Sequence, residues 1–425
     1  MKQIYITILL AISLFGTQAQ IDCSTGRFDQ PIFQNVDITS NIVYGNAVNY
    51  QNQAMDLKMD IYQPQGDTMQ QRPLIIFAFG GSFIAGDKNL PDVTRLCTEF
   101  AKRGYVTASI QYRLGITIDF TSIVQNALAA ATRASQDMKA AVRFFRKDKA
   151  GNNLYKINEN KIIVGGVSAG GFAALQTAYF DKESEAPILL DLNGLGGLEG
   201  NSGNPGFSSE VYAVVNLSGA LGRADWIEPG DVPLVTLHGN QDEVVPYGHG
   251  FVKLGGFNII EVDGGKPIHE RAIDLGIQSE LYTFYNQLHV PFTSHAGGSS
   301  MVNLYMDTTI QFVSNFLYKL EGCTPSNPNP IANQPIDPLS IKKYNVSQSF
   351  EVYPNPSADF IRLKTNDSQF ENINYEMLDL TGKKLAEGNA KASDFNIDLK
   401  AYETGVYVLK IAKNNQIENY KIVKQ

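Results

Sequence analysis

Pro73-Leu74-Ile75-Ile76-Phe77-Ala78-Phe79 is apolar from end to end, and Gly80-Gly81 stops it. A strand with one wet face alternates apolar and polar residues. A strand without alternation is buried on both faces, which is the habit of parallel sheets covered by helices. The chain downstream keeps the matching rhythm. Asp92 to Lys102 reads as a helix, Tyr105 to Tyr112 as a strand, and Ile123 to Lys147 as a long helix with Met138, Ala141, Val142 and Phe145 on one stripe. Lys161 to Gly165, Val211 to Leu217, Leu234 to His238 and Leu281 to Tyr285 read as further strands, Gly170 to Phe180 and Leu304 to Leu320 as further helices. An antiparallel hairpin, Ile38 to Tyr44 with Leu57 to Tyr62, precedes them. The pattern predicts an α/β domain with a doubly wound, mostly parallel sheet.

A chain of 425 residues is long for one domain. We expect the α/β domain to span residues 20–323. A Pro- and Asn-rich linker, opening with Thr324-Pro325-Ser326-Asn327-Pro328-Asn329-Pro330, then covers 324–343. Beyond it the helical period disappears. Phe350 to Tyr353, Ile361 to Thr365, Tyr375 to Asp379, Phe395 to Leu399, Val406 to Ile411 and Glu418 to Val423 read as short strands, predicting a small all-β sandwich over 344–425. The Gly-rich stretch Asp191 to Ser209 interrupts the α/β alternation; its length suits a functional loop over a site or a mobile insertion without a role.

Lys2, the apolar run Ile4 to Phe15, and the small residues Thr17 and Ala19 have the layout of a secretory signal peptide over 1–19. The run is too short to span a bilayer, which takes about 20 apolar residues. Export exposes the three cysteines to an oxidising compartment. Cys23 and Cys323 bracket the α/β domain, and we expect a disulfide between them, with Cys97 a buried free thiol; the alternative is three free thiols. A formal net charge of −8 without a basic run gives no reason to expect nucleic acid as a partner. Oligomeric state stays open.

Gly166-Val167-Ser168-Ala169-Gly170 follows one expected strand and opens the next helix, the strand–turn–helix context in which a serine is lifted out of a sheet as a nucleophile. Such a serine needs a base and a group to orient the base. Asp242 lies in the loop after the strand Leu234 to His238, with Glu243 as its local competitor. Of the five histidines, His238 belongs to that strand end and reads as packed, and His249 and His269 precede the last strand. His289 and His295 both follow it; His289, four residues on, is the expected base and His295 the second choice. Backbone N–H groups of Gly81 and Ser82, after the buried strand, and of Ala169 are the expected oxyanion donors. Trp226, the only tryptophan, lines a substrate pocket or packs in the core. We find no metal-binding motif and expect no cofactor.

Gly166 to Gly170, Phe79-Gly80-Gly81-Ser82-Phe83, Tyr112-Arg113-Leu114 and His238-Gly239 with Asp242 and Val245-Pro246 resemble the bacterial carboxylesterase and lipase branch of the α/β-hydrolases. Phe79 stands where these families usually have histidine, and Ser82 where they often have a third glycine. The resemblance implies ester hydrolysis through an acyl-enzyme, on a small-molecule or polymeric ester. A serine peptidase of the prolyl oligopeptidase type is the alternative, although no propeller fits before Pro73. A non-catalytic binding protein on the same fold would need neither a triad nor an oxyanion loop. If His289 is the base, activity falls on the acid side near roughly pH 6–7. Val352-Tyr353-Pro354-Asn355-Pro356, Leu380-Thr381-Gly382-Lys383, Thr404-Gly405-Val406-Tyr407 and Lys421-Ile422-Val423-Lys424 resemble the C-terminal sorting domain of the type IX secretion system. That family implies a Bacteroidota host, the type IX machinery as partner, and release or anchoring at the cell surface.

Overall fold

A computed structural model describes residues 22–116, 121–293, 299–328, 350–365, 373–379, 383–390, 393–413 and 416–425. The expected signal peptide, His295 and the linker beyond residue 328 lie outside the described residues. The chain divides into two compact units, Met1–Pro335 and Ile336–Gln425.

The first unit is built on one eight-stranded sheet. Its strands are β1 (Val36–Val48), β2 (Ala54–Pro64), β3 (Arg72–Ala78), β4 (Val106–Ile110), β5 (Ile157–Val167), β6 (Ala213–Leu217) and β7 (Leu234–Gly239). A separate two-stranded hairpin, β8 (His249–Leu254) with β9 (Phe257–Asp263), precedes the last sheet strand, β10 (Ser279–Phe284). The sheet order is β1-β2-β4-β3-β5-β6-β7-β10, antiparallel at β1/β2 and β2/β4 and parallel from β4 onward. Every residue of β3, β4, β6 and β7 is buried. Successive side chains of a strand point to opposite faces, so both faces of the sheet are covered. The cover is α1 (Pro91–Lys102), α2 (Ile123–Ala150), α3 (Ala169–Tyr179), α4 (Gly265–Asp274) and α5 (Ser299–Leu320). α1 packs on α5, and α2 on α3. α1 shows why such segments become helices: Pro91 opens it, Asp92 and Lys102 suit its two dipole ends, and Val93, Leu96, Cys97, Phe100 and Ala101 form one buried stripe.

The expected elements are present, most with ends moved by one to four residues. The hairpin β8–β9 and helix α4 were not expected. The Gly-rich segment 191–209 lines no part of the cavity beside Ser168 and packs on α2 instead. Buried α2 carries Arg133, Gln136, Asp137, Lys139 and Arg143 on its surface, and buried polar groups require partners. Arg133 Nη2 donates to the Gly115 carbonyl, and the segment partners the other four. Gln136 Nε2 donates to the carbonyls of Leu195 and Gly197, Lys139 Nζ to that of Leu198, and Arg143 Nε to that of Gly203. Ser202, itself buried, joins the Arg113–Asp137 ion pair, in which Nη2 and Oδ1 are 2.7 Å apart. Its carbonyl accepts from the Asn46 N–H of β1.

Cys23 and Cys323 are joined by a disulfide, and Cys97 is a buried free thiol. No helix among the described residues is long and apolar enough to cross a membrane.

The second unit has two antiparallel sheets. One contains β11 (Phe350–Tyr353), β12 (Phe360–Thr365) and β15 (Asp394–Asp398). The other has the order β14-β13-β16-β17, from β13 (Ile373–Leu378), β14 (Lys384–Ala390), β16 (Gly405–Lys413) and β17 (Gln416–Lys424). Ile361, Leu363 and Ile397 of the first meet Met377, Leu409, Ile411 and Ile422 of the second in one core. This is the expected sandwich, with β14 as an additional strand.

Candidate active site

β5 ends at Val167 and α3 begins at Ala169, so a single residue, Ser168, makes the turn. Its φ and ψ are 52° and −115°, a conformation costly for any residue with a side chain. The flanking glycines make the turn possible. A Cβ on Gly166 would stand 2.2 Å from the Gly170 carbonyl carbon, and one on Gly170 would stand 2.1 Å from the Ala78 oxygen. Ser168 N–H donates to Leu217 at the end of β6, anchoring the elbow.

The structure brings Ser168, His289 and Asp242 together. His289 Nε2 is 2.8 Å from Ser168 Oγ, and its Nδ1 is 2.6 Å from Asp242 Oδ2. The Asp242 side chain is fully buried, that of His289 slightly exposed. Asp242 Oδ1 accepts the N–H groups of Val244 and Val245, both at 2.9 Å. Burial alone would push this carboxyl up. The hydrogen bonds from His238 and His289 outweigh it and hold Asp242 well below the usual carboxylate range. Glu243 makes no such contact among the described residues.

The spacing of the two loops is fixed by backbone contacts between the ends of β7 and β10. Asn240 N–H donates to the Phe284 carbonyl, Gln241 N–H to that of Gln287, and Asn286 N–H to Asn240 Oδ1. Gly239 lies directly under this bridge, against the Leu288 carbonyl.

Gly80, Gly81 and Ser82 follow β3 beside the elbow: a Cβ on Gly80 would sit 3.3 Å from Ser168 Cβ. The Gly81 carbonyl accepts from Ile84 and Ala85, closing a turn in which Gly81 and Ser82 have φ of 133° and 54°. Among the described residues, the N–H groups of Gly81, Ser82 and Ala169 donate to no protein acceptor. Phe79 stacks on Tyr112 with ring centroids 4.3 Å apart.

A cavity of about 1080 Å³ opens beside Ser168. Ser82, Phe83 and Ala169 line it near the serine, Leu128 and Phe172 along one wall, and the hairpin β8–β9, through Val252, Ile260 and Val262, along another. Trp226 both packs and lines: it is almost fully buried, stacks on Phe180 at 5.0 Å, and borders the cavity. The open end of the hairpin is tied by His249, which bonds Asp263 at 2.8 Å and Glu261 at 3.0 Å. Among the described residues, no group of three or more His, Cys, Asp or Glu side chains is placed to hold a metal ion.

His238 was read from the sequence as a packing residue. It is buried, but its Nε2 is 3.0 Å from Asp242 Oδ2. The hairpin wall was also missed, although Gly255-Gly256 between two alternating runs is a hairpin signal.

The sheet order, the buried parallel strands and the one-residue elbow between β5 and α3 make the first unit an α/β-hydrolase fold. Residues 59–222 match the BD-FAE family, an esterase family of α/β-hydrolase type. Residues 351–425 match the secretion system C-terminal sorting domain, so the second unit is a sorting domain of the type IX pathway. It marks the chain for export, to be released or held at the cell surface. The chain is similar to solved structures of Thermogutta terrifontis esterase 2. The apo form is 21% identical with a TM-score of 0.48, covering 69% of this chain and 97% of that one. The form phosphorylated by paraoxon is 22% identical with a TM-score of 0.47, covering 68% and 95%. The butyrate-bound form is 21% identical with a TM-score of 0.46, covering 69% and 96%. No curated protein sequence matches the chain.

Proposed function

We propose that the exported chain is a serine carboxylic ester hydrolase working through an acyl-enzyme on Ser168. One observation carries the reading: a continuous line of hydrogen bonds runs from Ser168 Oγ through both nitrogens of His289 to a buried carboxylate, at the N-terminus of α3 and at the wall of a cavity.

In this reading His289 Nε2 takes the Ser168 proton as Oγ attacks the ester carbonyl carbon. Asp242 holds the other face of the ring and stabilises the imidazolium. The carbonyl oxygen becomes an oxyanion beside the N–H groups of Gly81, Ser82 and Ala169. One such donor typically contributes ~3 kcal/mol to the transition state. His289 Nε2–H then passes its proton to the alcohol oxygen as the C–O bond breaks, leaving acyl-Ser168. Water, deprotonated by His289, attacks the acyl carbon, and the proton returns to Oγ as the acid departs.

The test is hydrolysis of p-nitrophenyl acetate and butyrate by the purified protein beside Ser168→Ala and His289→Ala. We expect each substitution to lower kcat by about 10⁴-fold or more. Turnover undiminished in Ser168→Ala would overturn the reading.

A further inference from the structure

His238 sits at the buried end of β7, four residues before Asp242, and both side chains are fully shielded from water. Its hydrogen bonds determine its proton. Nε2 lies 3.1 Å from the Val245 carbonyl, which can only accept, so Nε2 carries the hydrogen. Nδ1 lies 3.3 Å from the Gly265 N–H, the first residue of α4, which can only donate, so Nδ1 is bare. The ring is therefore the neutral Nε2–H tautomer, and Nε2–H is shared between Val245 and Asp242 Oδ2.

Asp242 thus receives four N–H donors. Two backbone groups hold Oδ1, while Oδ2 takes one imidazole from each side, His238 at 3.0 Å and His289 at 2.6 Å. A carboxylate with only the Oδ1 contacts could still turn about its Cβ–Cγ bond. The contact from His238 fixes the plane of the group and thereby the direction of the lone pair that meets His289. Among the described residues, the titratable groups His289 and Tyr247 also pack against the pair. The Tyr247 ring meets His238 edge-on with centroids 5.7 Å apart, its hydroxyl bonds Thr283 of β10, and Tyr285 and Glu270 act on it.

We propose that His238 is a positioning residue: a neutral second imidazole that locks the Asp242 carboxylate in the orientation His289 requires. The inference rests on the Ser168 reading for its effect on turnover, but not for its effect on the His289–Asp242 hydrogen bond.

The experiment compares His238→Leu, which keeps bulk and removes the donor, with His238→Gln, whose amide N–H reaches near the place of Nε2. His238→Asn, whose amide reaches only near Nδ1, is the third variant. With p-nitrophenyl butyrate we expect kcat to fall about 10- to 100-fold in Leu and Asn, with KM little changed. The acid limb of kcat/KM should move to lower pH in these two, because a carboxylate out of alignment stabilises the His289 imidazolium less. Gln should restore most of kcat and the original limb. In parallel, low-field proton NMR reads the His289 Nδ1–H in the resting protein. That resonance should shift and exchange faster in Leu and Asn and return in Gln. Unchanged kcat, limb and resonance in Leu would overturn the proposal, as would Gln and Asn behaving alike; if Leu does not fold, the Gln–Asn comparison decides. Should Ser168→Ala retain turnover, the proposed function falls, and the resonance still decides on His238.

Discussion

Gly239 lies so close to Leu288 that a Cβ on it would stand 2.3 Å from the Leu288 carbonyl oxygen. The end of β7 and the loop carrying His289 can therefore close on one another only while residue 239 has no side chain. We expect Gly239→Ala to push that loop outward and lower kcat about 100-fold, since a shift near 1 Å in a reacting group has that effect. Far-UV circular dichroism should be unchanged. Full kcat in this variant would show that the contact does not govern the position of His289.

Asp242 gives a stability prediction with a sign. Its carboxyl is held below the usual range in the folded chain, so the ionised form favours folding. That contribution is complete above the unfolded value of about 3.9 and fades as pH falls below it toward the folded value. Asp242→Asn lacks it at every pH. Urea midpoints of the parent and the variant should therefore differ most at neutral pH and converge below about pH 4. A gap that widened on acidification would refute the assignment.

The Arg113–Asp137 pair lies at the buried junction of α2 with the Gly-rich segment, away from the cavity. Asp137→Ala should destabilise by about 3–5 kcal/mol in urea unfolding, because it leaves a buried guanidinium unpaired. Replacing both partners by apolar residues, Arg113→Met with Asp137→Leu, should recover much of that loss. The kcat of the folded fraction should not change in either variant.

Removing the disulfide by Cys23→Ser with Cys323→Ser should cost about 2–5 kcal/mol, and reduction of the parent should do the same. The third cysteine provides an internal control. Burial pushes the Cys97 thiol up, so iodoacetamide should label it only after denaturation. Labelling in the native state would show that α1 opens readily.

The main strands of the first unit were legible because burial on both faces leaves an unbroken apolar run. The elbow was legible because a one-residue turn needs glycine on both sides. Ser168 and Asp242 could be chosen by chain order and His289 by its short distance from the last strand, and the structure brings these three together. What could not be read depends on how segments meet. His238 looked like core because its sequence neighbours are apolar, and only the turn after β7 brings Asp242 back onto its ring. The segment 191–209 left a functional loop and a mobile insertion both open because its partners are polar side chains of α2, about sixty residues earlier. The hairpin β8–β9 mixes Lys253, Glu261 and Asp263 with its apolar residues, which blurs the alternation that marks a strand.

The bond between Cys23 and Cys323 has a topological consequence. It turns the polypeptide between those positions into a closed covalent circle, and the sorting domain hangs outside that circle. A protease that cuts beyond residue 323 removes the export label without opening the loop, so the α/β domain keeps its ends fastened. A protease that cuts once inside the circle nicks it but releases no fragment. Two cuts, or one cut and a reductant, are needed before any piece of the α/β domain can leave.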